Sequence, residues 1–358
     1  MSRKLLSLSA MAALMGGTAM AEAPHVAVDI APVHSLVARV MDGVGTPDLI
    51  VQPGASPHEY SLRPSEAASL QGADLVFWMG EDLTPWMEDA VETLAEGAAI
   101  TTLLEADGTV LLDFREGALF EAHDHAEHDD DEDHHDHDHD EHAEEHDHAD
   151  HDHDHEEHAE DDEHGHEEHD HEDHAEHDDH DGHAGHDHGE HDPHAWLSLA
   201  NASTWLNLIA AQLSAADPDN AGAYFANAAA AIEEMEILSA EIAATLDPVR
   251  GGSFIVFHDA YQYFEAEFDF PASGAISLGD ATDPSPARIA EIQARIQDEA
   301  ISCVLAEPQF NQGIVEAVLG GTEANTGVID PLGAELEPGS SLYPQLLRNM
   351  ATTLAECL

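Results

Sequence analysis

A stretch between His123 and His191 consists almost entirely of His, Asp and Glu and contains no Lys or Arg. It holds 25 of the chain's 30 histidines. A segment with so few large apolar side chains cannot bury enough surface to offset the entropy of ordering its backbone. Imidazole is a common ligand of divalent transition metals, and dense His tracts are typical of metal-binding segments. We therefore predict a disordered loop at residues 121–192 that gathers metal ions weakly.

The first residues have the pattern of a secretory signal peptide. Basic residues at positions 3 and 4 precede an apolar run at 5–15, and positions 19–21 read Ala-Met-Ala, a small-x-small cleavage pattern. The apolar run is shorter than the roughly 20 residues that span a bilayer. We expect cleavage after Ala21 and export to the periplasm.

The charge balance excludes one class of partner. The chain has 76 Asp and Glu against 9 Lys and Arg, a formal net charge of −67 with neutral His. Proteins that bind nucleic acids need a basic patch to neutralise phosphates, and this chain has none in its sequence. We expect no nucleic-acid partner.

The chain has two cysteines, Cys303 and Cys357. In an exported protein, a small and even number of cysteines is typical of a structural disulfide. A buried pair of free thiols is the alternative. A zinc site built from these two is disfavoured, because neither belongs to a C-x-x-C unit.

Outside the signal peptide and the tract, strand-length apolar runs alternate with segments of helical spacing. That alternation is typical of α/β folds with parallel sheets and right-handed crossovers. The Ala- and Glu-rich segment Asn220–Leu246 has the composition of one long helix and separates two such blocks. We predict two α/β lobes, each a mostly parallel sheet flanked by helices, joined by one long helix. The predicted order is a signal peptide (1–21), an N-terminal lobe (22–216) interrupted by the His-rich loop (121–192), a linker helix (217–247) and a C-terminal lobe (248–358).

Five histidines lie outside the tract. His58 follows a predicted strand, His194 lies where the tract ends and a helix begins, and His258 lies at the carboxyl end of a predicted strand. Ligands of open α/β sheets bind at the carboxyl ends of strands. These three are therefore candidate metal ligands, whereas we assign His25 and His34 to structural roles.

A carboxylate, Asp330, also ends a predicted strand. Two candidate ligands then come from each side of the long helix, which predicts a metal between the lobes. Three neutral imidazoles and one carboxylate suit the tetrahedral coordination of zinc.

Five segments, in chain order, resemble the signature segments of the zinc-specific periplasmic substrate-binding proteins of bacterial ABC transporters: GASPHEY, HDPHAWLS, FHDAYQYF, LAEPQF and IDPLG. The resemblance runs from about His25 to the C-terminus. It implies two lobes joined by a rigid helix and zinc as the transported ligand. Its ligands would be His58, His194 and His258.

The same resemblance leaves the fourth ligand open among Asp330, Glu59 and water. It also implies a disulfide between Cys303 and Cys357. The implied partners are an ABC permease and its ATPase in the inner membrane, with periplasmic zinc donor proteins as further partners of a monomeric receptor.

Three other functions compete with this one. A zinc hydrolase also uses three His and a water, but the sequence has no H-E-x-x-H motif. A metal buffer would make the tract itself the functional part. A manganese receptor is disfavoured, because Mn²⁺ prefers oxygen ligands to imidazole. The expected function is a receptor without catalytic activity.

Overall fold

A computed structural model describes residues 23–115, 120, 191–277 and 284–358 of the chain. The predicted signal peptide lies outside the described residues, and so does the predicted loop apart from residues 191 and 192. Within the described ranges, no helix is both long enough and apolar enough to cross a membrane.

The first block contains a four-stranded parallel sheet in the order β2-β1-β3-β4. Its strands are β1 (Val26–Val28), β2 (Asp48–Leu49), β3 (Leu75–Trp78) and β4 (Ala99–Thr102). The central strands β1 and β3 are buried along their whole length, as expected for apolar runs covered on both faces. The helices of this block are α1 (Ala31–Val40), α2 (Pro64–Gly72) and α3 (Glu88–Leu94).

Two longer helices follow in chain order, α4 (Leu199–Ala216) and α5 (Ala221–Leu246). The Ser198 side chain caps α4 by accepting a hydrogen bond from the Asn201 amide. Along α5 the buried residues recur every three or four positions, which gives one apolar face: Tyr224, Ala228, Ala231, Met235, Leu238, Ile242 and Leu246. This face packs against α1, α4 and α9. Helix α5 lies where the linker was predicted, and its role as a rigid linker stays a prediction.

The second block contains another four-stranded parallel sheet, in the order β6-β5-β7-β8. Its strands are β5 (Phe254–His258), β6 (Ala275–Ser277), β7 (Cys303–Ala306) and β8 (Asn325–Val328). Its helices are α6 (Gln262–Phe268), α7 (Pro286–Asp298), α8 (Gln312–Leu319) and α9 (Leu342–Cys357). The predicted fold class, two α/β lobes with parallel sheets, is confirmed.

Cys303 on β7 and Cys357 at the end of α9 form a disulfide, with a Cα–Cα distance of 5.6 Å. Both residues are buried. The predicted disulfide is therefore present, and it ties the last helix to a central strand of the second sheet.

Buried side chains of both blocks join in one hydrophobic cluster that includes Val28 of β1, Leu238 of α5 and Tyr343 of α9. Polar bonds cross the same region. The Tyr343 hydroxyl donates to the carbonyl of Trp196 at 2.8 Å, and the Trp196 indole N–H donates to the carbonyl of Pro331 at 2.9 Å. These bonds hold the turn before α4 against α9 and against the loop that follows β8.

Candidate metal centre

Two of the predicted ligands, His258 and His194, lie on buried, well-packed segments of the chain. His258 is the last residue of β5 and therefore lies at the carboxyl edge of the second sheet. His194 precedes a single 3-10 turn, Ala195–Leu197, that leads into α4. Both histidines are only 5% exposed. Burial on short, well-packed segments leaves these rings little conformational freedom.

The third predicted ligand, His58, lies in the loop between β2 and α2 and is partly exposed. The Trp86 indole N–H donates to the carbonyl of Pro57 at 2.7 Å, and the Tyr60 ring lies 5.4 Å from that of Trp86. The Tyr60 hydroxyl donates to Glu66 at 2.8 Å. The backbone that carries His58 is therefore anchored on both sides, while its ring is less confined than the other two.

The three rings lie round one cavity. The Nε2 atoms of His194 and His258 are 3.4 Å apart, and their ring centroids are 5.2 Å apart. The ring of His58 lies 5.6 Å from that of His194. Two nitrogens at about 2.0–2.1 Å from one tetrahedral zinc are about 3.3–3.4 Å apart. The pair formed by His194 and His258 has this spacing.

Each of these two rings is oriented by a buried carboxylate on its other nitrogen. Asp192 Oδ1 lies 2.7 Å from His194 Nδ1 and also accepts the backbone N–H of His194 at 2.9 Å. Glu307 Oε1 lies 2.7 Å from His258 Nδ1. A carboxylate acceptor at Nδ1 places the proton there and leaves the Nε2 lone pair for a metal.

Sequence reasoning missed both carboxylates as functional residues. Asp192 stands two residues before His194, the spacing at which an Asp side chain bonds a following backbone amide. Glu307 follows β7, the strand beside β5, at the same edge of the sheet as His258. Signals for both were present in the HDPH and LAEP segments, but only spatial proximity shows which ring each one contacts.

Asp192 is 1% exposed. Burial raises the pKa of Asp192 to about 7, while the His194 amide and the positive charge of Arg115 act in the opposite direction. A carboxylate in this setting is a strong hydrogen-bond acceptor, because little water competes for it.

The cavity has polar and apolar walls. Its lining residues are Ser56, Pro57, His58, His194, Trp196, His258, Glu307, Gln309, Phe310, Pro331 and Leu332. Across the described ranges, no three His, Cys, Asp or Glu side chains already stand at metal-binding distances from one point. A three-imidazole site at this cavity would therefore require some movement of these side chains.

The family model for ZnuA, described as zinc-uptake complex component A, periplasmic, matches residues 26–357. The chain belongs to this family. The match covers both described blocks and the His-rich tract.

Curated relatives and solved structures agree with the assignment. The chain is 42% identical over 353 residues to a high-affinity zinc uptake system protein ZnuA of Brucella abortus, covering 99% of this chain and 97% of that one. It is also 42% identical over 352 residues to the protein of the same description from Paracoccus denitrificans, covering 97% of each. A crystal structure of a ZnuA has the same fold, with a TM-score of 0.65 at 19% identity over 94% of this chain and 99% of that chain.

Neither predicted candidate for the fourth ligand is among the residues that line the cavity. The Asp330 carboxylate accepts backbone amides of the loop that follows it, at 3.0 Å from Leu332, 2.9 Å from Gly333 and 2.6 Å from Ala334. Glu59 is exposed. The identity of the fourth ligand stays a prediction.

The two histidines assigned to structural roles lie away from the cavity. His34 is buried on α1, and its Nε2 lies 3.0 Å from the carbonyl of Pro47. Burial lowers the pKa of His34, which favours the neutral ring. His25 is exposed, and its backbone amide donates to Asp74.

Proposed function

We propose that this protein is the high-affinity zinc receptor of an ABC-type uptake system. It captures Zn²⁺ in the periplasm and delivers it to a permease in the inner membrane, which is driven by an ATPase. The observation that carries the proposal is the arrangement of His194 and His258. Their Nε2 atoms are 3.4 Å apart, and each ring has a buried carboxylate on Nδ1.

The proposed ligands are His58, His194 and His258. Two of them are set before the ion arrives, so little ordering entropy is lost on binding. His58 supplies the third nitrogen by turning its partly exposed ring inward. Three imidazoles favour zinc over manganese, which prefers oxygen. The apolar walls formed by Trp196 and Phe310 strengthen the metal–ligand attraction by excluding water.

For the fourth position the sequence suggested Asp330, with Glu59 or water as alternatives. Coordination by Asp330 would require its carboxylate to give up the amides of Leu332, Gly333 and Ala334, or to share an oxygen with them. Glu59 would have to leave solvent. Water requires neither change, so the proposed order of preference is water, then Asp330, then Glu59.

The proposed receptor is not an enzyme. The rival is a zinc hydrolase, which would need a general base beside the metal-bound water and an open substrate cleft. The family is one of substrate-binding transport proteins, and Asp192 and Glu307 are both occupied in orienting imidazoles. A bound ion that is to be handed on needs no such base.

The remaining parts of the proposal concern residues outside the described ranges. Cleavage after Ala21 releases the chain into the periplasm, where relatives of this family act. The His-rich loop at 121–192 collects zinc weakly and passes it to His194, two residues beyond the loop. A monomer is sufficient for this function, because all proposed ligands come from one chain.

The test is zinc titration, by competition with a chelator of known affinity, on His58→Ala, His194→Ala and His258→Ala. Each variant is expected to lose one tight zinc while the thermal unfolding of the zinc-free protein stays close to that of the wild type. His25→Ala is the matched control, since His25 is exposed and away from the cavity. One zinc bound by His194→Ala as tightly as by the wild type would remove the basis of the proposal.

A further inference from the structure

Residues 112–115 precede the His-rich tract, and residues 191–192 are the last two of the predicted loop; together we call these two described segments the neck. The Asp192 amide donates to the carbonyl of Leu112 at 2.8 Å. Asp113 and His191 form an isolated antiparallel bridge, and His191 Nδ1 lies 3.0 Å from the Asp113 carboxylate. The two segments of the neck are therefore held side by side.

One hydroxyl from the second block bonds to both segments of the neck. Tyr263 on α6 is 2% exposed. Its hydroxyl donates to the carbonyl of Asp192 at 2.8 Å and accepts the amide of Leu112 at 3.0 Å. Burial raises the pKa of Tyr263 above its ordinary value, so the hydroxyl keeps its proton and remains a donor.

Arg115 makes the second connection between the neck and the second block. Its guanidinium donates to both oxygens of Asp259, the residue after His258, and to Glu265 on α6 at 2.7 Å. Both carboxylates are nearly fully buried. Burial alone would lower the pKa of Arg115, but the hydrogen bonds to Glu265 and Asp259 outweigh it and raise the pKa. The guanidinium is therefore a permanent positive charge between two buried anions.

These contacts lie next to the proposed ligands on both sides. Asp192, whose main chain Tyr263 holds, orients His194 through its carboxylate. Asp259, which Arg115 holds, is bonded through the chain to His258. We propose that Tyr263 and Arg115 are positioning residues for the zinc site. They fasten the neck to α6 and so hold His194 at the distance from His258 at which both rings bind one zinc ion. This inference rests on the proposed zinc site.

The physical consequence is a slower loss of zinc. While the neck is fastened, the two Nε2 atoms stay at the 3.4 Å separation that suits a shared ion. Without the contacts of Tyr263 or Arg115, the rings of His194 and His258 sample longer separations. Part of the zinc-binding free energy is then used to restore the separation that binds the ion. The effect should appear in the dissociation rate, because dissociation begins when one ligand leaves.

Tyr263→Phe is the first test, since it removes one hydroxyl and keeps the ring. Tyr224→Phe is the matched control: Tyr224 is also buried, and its hydroxyl donates to Asp217 at 2.9 Å, away from the cavity. Zinc dissociation is measured by stopped-flow exchange into excess chelator. We expect Tyr263→Phe to release zinc about 3- to 10-fold faster, the range expected for loss of the one buried hydrogen bond that holds the residue orienting His194, the bond to the Asp192 carbonyl. Tyr224→Phe should release zinc at the wild-type rate.

Arg115→Lys is the second test, because it keeps the charge but loses the two-pronged contact with Asp259. Arg348→Lys is its control, since Arg348 pairs with Glu241 on the surface. The visible absorption of bound Co²⁺, which reports ligand geometry, should change in Arg115→Lys and Tyr263→Phe and stay unchanged in both controls. Wild-type dissociation rates and Co²⁺ spectra in both neck variants would overturn the inference, even if their thermal stability fell.

The outcome separates this inference from the proposed function. If His194→Ala and His258→Ala lose the tight zinc but the neck variants behave as the wild type, the zinc site stands and the positioning role is wrong. If His194→Ala keeps the tight zinc, the site itself is wrong, and the positioning role fails with it.

Discussion

Replacement of Glu307 by Ala should weaken zinc binding strongly without unfolding the protein. Glu307 is 2% exposed, and its Oε1 lies 2.7 Å from His258 Nδ1. In Glu307→Ala the Nδ1 proton loses its acceptor, so the ring is no longer held in the tautomer that offers Nε2 to the cavity. Loss of such a partner typically lowers metal affinity about 10- to 100-fold, or roughly 1.4–2.7 kcal/mol.

Glu307→Gln refines the prediction. The amide oxygen can still accept the Nδ1 proton, but the negative charge that makes the imidazole a stronger ligand is gone. The affinity of Glu307→Gln should therefore lie between those of the wild type and Glu307→Ala. Glu241→Ala is the control, because Glu241 makes only a half-exposed surface pair with Arg348.

The assay is zinc titration against a competing chelator, accompanied by thermal unfolding of each zinc-free variant. The unfolding curves separate a loss of affinity from a loss of folded protein. Zinc binding by folded Glu307→Ala within twofold of the wild type would show that Glu307 does not support His258 as a ligand. Weaker zinc binding by Glu307→Gln than by Glu307→Ala would show the same, since hydrogen-bond acceptance at Nδ1 would then not matter.

Three further predictions follow from the structure. The double variant Cys303→Ser/Cys357→Ser should lose up to about 4 kcal/mol of unfolding free energy, because the disulfide closes a loop with a sequence separation of 54 and so restricts the unfolded chain. Equal denaturation midpoints for the variant and the oxidised wild type would contradict this. Burial raises the pKa of Asp29 to about 7, above the roughly 3.9 of an unfolded Asp. The contribution of Asp29 to the free energy of unfolding is therefore largest below about pH 4 and is lost as pH rises through 7. Asp29→Asn should flatten the dependence of this free energy on pH, measured by urea unfolding between pH 4 and 8. An unchanged slope in the variant would count against this role of Asp29. Deletion of residues 121–190 should remove several weakly held zinc ions and keep one tight ion. It should also slow the binding of zinc to the main site when zinc is limiting. Binding as fast as in the wild type would show that the tract is a buffer and does not supply zinc to the main site.

Short-range sequence patterns were enough to predict the fold class, the disulfide and the three candidate histidines. Alternating strand and helix patterns predicted two parallel α/β lobes, because the periodicity of apolar residues is a local property that each segment carries by itself. The two cysteines predicted the disulfide, since two cysteines can pair in only one way. The motifs around His58, His194 and His258 selected these three from 30 histidines, and the comparisons place the chain in the family that the motifs indicated.

The assembly of the candidate site depends on tertiary packing. His194 and His258 are 64 residues apart in sequence, and their 3.4 Å contact results from the packing of the turn before α4 against the edge of the second sheet. The hydrogen bonds of a carboxylate depend on which groups the folded chain brings within about 3 Å of it, and no local pattern encodes that. Asp330, predicted as a ligand from its position after a strand, accepts the amides of its own loop, and its role as a ligand stays a prediction. Glu307, by contrast, orients His258, a proposed ligand on the neighbouring strand.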